Sequence, residues 1–316
     1  MSVTGLAGTE LGAGRWTGTG RRARDFTVRL LSRSDGLIGL SILAVFSVLA
    51  IAPALFVGPL QTLTSATGQP LEPPSAQYWF GTDELGRDLL NMTVHGARIS
   101  MTIGLMATLV TIIIGSLVGI VAGFAGGTVD NLLMRLSDFF LVLPTIVLAL
   151  ILAPIMLDVI GPEAELFGIR STLIVIVIVI GLTSWATTAR VIRSQVLSLK
   201  ERMFVDRARV IGSGSGRIMR RHILPNVVNL IVAQSVLTFA TAVFTETTLA
   251  FIGLGDPAAP SWGQILNNAQ SAGAPGLGAW WYIAPPAIAV VLVVMAFTLV
   301  GNALDDVLNP KALSRR

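Results

Sequence analysis

Asp206, Arg207 and His222 offer the most chemistry in the polar stretch Phe204–Pro225, FVDRARVIGSGSGRIMRRHILP. Asp206 is followed by Arg207 and Arg209, and on charge alone the stretch reads as a solvated basic loop obeying the positive-inside rule. The rest of the reactive inventory is sparse. With no cysteine there is no disulfide, no thiolate nucleophile and no cysteine-ligated metal. His95 and His222 are the only imidazoles, and the topology below puts them on opposite sides of a membrane, which argues against a metal centre or a Ser-His-acid triad. Lys200 and Lys311 are the only lysines, and neither follows a glycine as G-x-x-x-x-G-K-[ST] demands, so no P-loop is recognisable. Gly212-x-Gly214-x-Gly216 lacks the G-x-G-x-x-G spacing and a preceding strand, so it reads as a turn rather than a phosphate loop.

Glu246 is the other residue of interest, within TETTLAFIGLG. An acid inside an apolar helix is costly enough to be a functional-site expectation. Three roles are open to it: facing a path near its outer end, as a contact for a cationic group or a gate; pairing with a polar neighbour on another helix; or reaching the outer interface.

The elements that carry these residues are membrane helices. Hydrophobic residues make up 53% of the chain and charged residues 13%, against about 25% charged in a soluble domain. Six runs are long enough to cross about 30 Å of hydrocarbon: Gly36–Val57, Ile99–Phe124, Ser137–Ile160, Ser171–Arg190, Val227–Leu254 and Trp281–Leu304. The first is too long for a signal-peptide core and reads as an uncleaved anchor. The fold class is therefore an all-α polytopic membrane protein. Residues 1–34 read as a cytoplasmic tail, 35–97 as the first span and an outer loop, 98–310 as the core with a polar loop at 191–226, and 311–316 as a second cytoplasmic tail. An inside amino terminus leaves only Arg87, Arg98 and Arg170 at the outer side, as the positive-inside rule prefers. Trp280, Trp281 and Tyr282 then suit an outer aromatic belt.

Within the polar loop, Val205, Ala208 and Ile211 recur every three residues and predict one face of a short helix. Gly212 supplies its stop, and Pro225 suits the opening of the next helix. Gly115, Gly119 and Gly123 give two overlapping G-x-x-x-G spacings for close helix approach. Arg135 and Asp138, three apart, are expected to pair on one helix face. Pro144 and Pro285-Pro286 predict kinks or irregular helix entries. Thr82 or Asp83 is the expected N-cap of the second span.

Phe204-Val205-Asp206-Arg207-Ala208, Gly212 and His222-Ile223-Leu224-Pro225-Asn226 resemble the EAA loop of ATP-binding cassette importer permeases of the dipeptide/oligopeptide branch. Phe80-Gly81-Thr82-Asp83-Glu84-Leu85-Gly86-Arg87-Asp88 is similar to the FGTDxxGRD signature of that branch. Gly301-Asn302-Ala303-Leu304-Asp305-Asp306-Val307-Leu308-Asn309-Pro310 resembles its GDxLRDxLDP ending, with Asn302 in place of an acid and Asp305 in place of a base. The chain has Asp206-Arg207-Ala208 where the family usually has Glu-Ala-Ala. The resemblance implies a type I importer transmembrane domain in a bacterial inner membrane. It also implies a non-catalytic permease subunit that couples through Val205, Asp206, Arg207, Ala208, Ile211, Gly212, His222 and Pro225, Asp206 foremost, to ATPase partners which bind ATP and Mg. A homologous second permease, an extracellular solute-binding protein and surrounding lipid complete the implied partners, with no nucleic acid and no cofactor on this chain. Dipeptides or oligopeptides are the implied cargo; nickel, glutathione or haem on the same machinery is the alternative. An ion-gradient transporter is the rival class, weakened by the few membrane acids and the absence of an obvious repeat.

Overall fold

A computed structural model describes residues 32–161, 164–166 and 169–308. Most of the expected amino-terminal tail, the Asn309-Pro310 end of the carboxyl-terminal motif and the tail at 311–316 lie outside the described residues.

The first helix, α1 (Ser34–Ile51), runs from the end of the bundle where residues 203–223 of the polar loop form a basic knob to the opposite, distal end. It packs along the last helix, α9 (Trp280–Leu308), where Gly39 lies so close that an added Cβ would stand 2.8 Å from the Ala296 carbonyl. Arg33 and Asp306 join the two at the knob end through a 2.8 Å ion pair. Asp306 of the carboxyl-terminal motif is thus tied to the residue that opens α1.

The second helix, α2 (Leu89–Ala125), has 37 residues and starts ten residues before the expected span. Its N-cap is Asp88, which accepts from the Leu90 amide at 2.9 Å, rather than Thr82 or Asp83. Those two residues lock the preceding loop instead. The buried Asp83 accepts from the amides of Leu85 and Arg87, both at 2.8 Å, and from Arg87 Nε at 2.6 Å. Thr82 bridges Gln69 and Glu72. Burial raises the Asp88 carboxyl above the ordinary aspartate range, against the lowering effect of its cap hydrogen bonds.

The third apolar run is broken rather than straight. Helix α3 (Gly127–Val142) and helix α4 (Thr145–Ile160) meet at 94°. The cause is Pro144, which has no amide to continue the ladder and drives Leu143 into extended backbone.

Helix α5 (Ser171–Lys200) is the central strut, and α2 is its main neighbour. The glycine strip lies in this contact. Added Cβ atoms would stand 2.6 Å from Thr188 Cβ at Gly115, 2.6 Å from the Ala189 carbonyl at Gly119 and 2.8 Å from Val196 Cβ at Gly123. Small residues let the two backbones meet, and side chains of α5 fill the groove.

After the knob, helix α7 (Leu224–Leu249), numbered after the knob helix α6 (Met203–Val210), returns to the distal end. It finishes in a π-turn at Ala250–Leu254, where Gly253 has φ 100°. An amphipathic helix, α8 (Trp262–Ser271), follows before α9 returns to the knob end. Pro285 and Pro286 fall in the second turn of α9, which continues through them.

Candidate functional site

The knob is built from α6, a glycine turn and a π-turn at Met219–Ile223. Helix α6 stops where Gly212 adopts φ 82°, a left-handed conformation that glycine takes without penalty. The π-turn precedes Pro225, whose missing amide and bulky ring oppose an ordinary α-turn; a wider i→i+5 turn accommodates both. Asn226 Nδ2 donates to the His222 carbonyl at 2.7 Å, and the His222 ring lies 6.3 Å from that of Phe204.

The expected face of α6 divides in two. Val205 (0% exposed) and Ala208 point inward and pack with Ile192, Val196, Ile218, Ile223 and Val227. They anchor the knob and cannot themselves touch a partner, which corrects their place in the expected contact set. Ile211 departs from their face because it follows the end of the helix; it is 82% exposed. The outward surface consists of Met203, Asp206, Arg207, Val210 and Ile211, which line a shallow concavity of about 450 Å³. Asp206 is held by Arg209 through a solvated 3.1 Å pair, which leaves Arg207 outward. Met203 and Val210 escape a reading by period alone, yet the adjacent apolar pair Val210-Ile211 in a basic stretch is a usable signal.

The base of the knob is tied by two arginines of α5. Arg193 meets Asp130 of α3 through Nε at 2.5 Å and its second nitrogen at 2.6 Å, a bidentate pair. Arg190 pairs with Asp138. Asp138 therefore does not pair with Arg135 as expected. Helix α5 brings Arg190 across the interface to it, and Arg135 stays exposed.

At the distal end Glu246 is 0% exposed, so it does not line a surface of this chain; that corrects the path-facing role. The hydroxyls of Ser261, Ser100 and Thr247 surround its carboxylate. Ser261 is also the N-cap of α8, accepting from the Gln264 amide at 3.2 Å, and Ser100 of α2 accepts from the Trp262 amide at 3.1 Å. Glu246 thus joins α7, α2 and the start of α8. The completely buried Trp262 fixes the same joint, donating from its indole to the Thr93 carbonyl at 2.9 Å. Arg170 and Asp256 add a 2.7 Å ion pair between α5 and the loop before α8. Tyr282 is buried and bonded to Glu84 of the distal loop rather than placed in an aromatic belt. His95 lies at this end, bonded to the Gly58 carbonyl at 3.0 Å, far from His222. Among the described residues no cluster of three histidine, aspartate or glutamate side chains could hold a metal ion.

Residues 115–314 match the family model described as binding-protein-dependent transport system inner membrane component. This chain belongs to that family. The inner-membrane component is 37% identical over 290 residues to the dipeptide transport system permease protein DppC of Bacillus subtilis (strain 168), covering 90% of this chain and 84% of that protein. It is 34% identical to the oligopeptide transport system permease protein OppC of the same organism, over 91% and 89% of the two chains. A solved structure of the MetNI methionine ABC transporter in inward-facing conformations shares its fold, with a TM-score of 0.54 at 17% identity over 68% of this chain and 96% of that one. The inner-membrane component therefore has the type I importer transmembrane architecture, and its role is that of a permease subunit.

Proposed function

We propose that this permease imports dipeptides or short oligopeptides, its knob seated in a cleft of a separate ATPase whose ATP-driven closure moves the bundle. The observation that carries the reading is the division of α6: Val205 and Ala208 fix it into the bundle, and Met203, Asp206, Arg207, Val210 and Ile211 are presented outward. A surface that combines exposed apolar side chains with an acid and an arginine suits protein docking. Its rigid attachment through α5 and α7 suits the transmission of force.

In this reading the knob end is cytoplasmic, as are both termini, and two ATPases bind the nucleotide and Mg. A homologous permease completes the path, and an extracellular solute-binding protein delivers cargo. The named relatives support peptides over nickel, glutathione or haem. Alternating access needs states that a partner stabilises unequally, and ATP binding to the partners supplies that difference.

The test is uptake into vesicles holding the complete transporter, with a labelled dipeptide and ATP inside or outside. Peptide-stimulated ATP hydrolysis and ATP-dependent uptake, both severed from one another by Asp206→Arg, are the expected result. Uptake that follows an ion gradient without ATP overturns the reading.

A further inference from the structure

Where the knob joins α7, a concavity of about 560 Å³ is lined by Gly216, Arg217, Arg220, Arg221 and Pro225. All three arginines are exposed, and none forms an ion pair with a described carboxylate; the described pairs use Arg33, Arg87, Arg170, Arg190, Arg193 and Arg209. Asp206, the acid of the knob helix, is already matched by Arg209. Three like charges around one hollow repel one another and raise the local positive potential, so an anion bound there is stabilised by all three.

What lies beyond the hollow indicates which anion. Pro225 is in the first turn of α7. From that turn Leu224, Val228 and Val232 follow at intervals of four, all exposed, and form an apolar stripe that descends from the arginines into the spanning part of the helix. Asn229 is exposed between them. A ligand matching this order has an anionic head, a polar middle and an apolar tail. An acidic protein segment satisfies the arginines and leaves the stripe uncovered; a free anion does the same. Arginine is suited to phosphate oxygens because its planar fork donates two parallel hydrogen bonds.

We propose that Arg217, Arg220 and Arg221 bind the phosphate of an anionic phospholipid, one acyl chain of which lies along Leu224, Val228 and Val232. The site is separate from the outward surface of α6, and it requires only that α7 crosses the bilayer, whichever way the chain is inserted. Bound lipid at this junction adds to the attachment of the knob to the span.

The test uses the full chain with the subunits that co-purify with it, as wild type and as R217Q/R220Q/R221Q. Native mass spectrometry reads phosphatidylglycerol against phosphatidylcholine, with inorganic phosphate as competitor. Wild type retains phosphatidylglycerol in preference, phosphate does not displace it, and the variant holds it about a hundredfold more weakly with subunit composition and melting temperature unchanged. Undiminished phosphatidylglycerol binding by the variant, or equal retention of phosphatidylcholine, overturns the proposal. Displacement by phosphate marks a free-anion site and overturns it too. Loss of a protein subunit with lipid retention intact marks an acidic protein surface and likewise overturns it. A failure of peptide uptake in the vesicle assay leaves these readouts standing, because none of them involves cargo.

Discussion

Asp130 of α3 and Arg193 of α5 face each other through two hydrogen bonds of 2.5 and 2.6 Å beside the base of the knob. Helix α3 precedes a 94° bend, and this pair, with Arg190–Asp138 and the packing of Phe140 on Trp185, sets where it lies against α5. Replacing Asp130 by Ala leaves the guanidinium partly buried without its acceptor. The expected loss is about 2 kcal/mol, read as a lower melting temperature in detergent. The exchange D130R/R193D should recover part of it, which separates the pair from a general sensitivity of the site.

Gly119 and Gly214 predict opposite responses to one methyl group. At Gly119 an added Cβ meets the Ala189 carbonyl at 2.6 Å and Ile192 Cβ at 2.9 Å, so Gly119→Ala must push α2 away from α5. That overpacking costs about 1–3 kcal/mol. At Gly214 the same Cβ meets nothing within 4 Å, and φ is −66°, which alanine adopts freely. Gly214→Ala should leave melting unchanged or raise stability by up to about 1 kcal/mol.

Val205 and Ile211 separate anchoring from docking. Val205 is fully buried, and Val205→Ser should lower the melting temperature through lost burial and an orphaned hydroxyl, a cost of about 2 kcal/mol or more. Ile211 is 82% exposed. Ile211→Ser should leave melting alone and weaken ATPase retention during purification. Equal losses of stability from both would mean that the outward surface is not a docking surface.

The contrast between these two residues also explains which parts of the architecture are legible from the amino acids. The spans, the knob and the glycine strip follow from apolar run length, charge density and spacing of four, all local properties. Ile211 is misplaced by its period because the three-residue repeat continues up to Gly212, where the backbone turns. Asp138 is misplaced because its partner is chosen by the approach of α5, which no spacing within α3 encodes. Pro144 marks the position of the bend but carries no information on its angle. The N-cap at Asp88 is obscured by Thr82 and Asp83, equally good caps by type, whose side chains are committed to the distal loop.

Glu246 is the residue for which stability and transport must be measured together. Its carboxylate lies among the hydroxyls of Ser261, Ser100 and Thr247, with Thr247 donating at 3.3 Å, so Glu246→Ala removes that acceptor and opens a cavity among α7, α2 and α8. The expected cost is at least about 2–3 kcal/mol, with transport lost alongside. Glu246→Gln keeps the shape and one carbonyl oxygen for the Thr247 hydroxyl, so it should melt within about 1 kcal/mol of wild type and still transport. Ser261→Ala removes the N-cap of α8 beside Glu246, and should cost about 1 kcal/mol. If Glu246→Gln assembles and melts normally but transports nothing, the carboxylate meets something charged during the cycle, and its burial belongs to one conformation of the transporter rather than to a fixed joint.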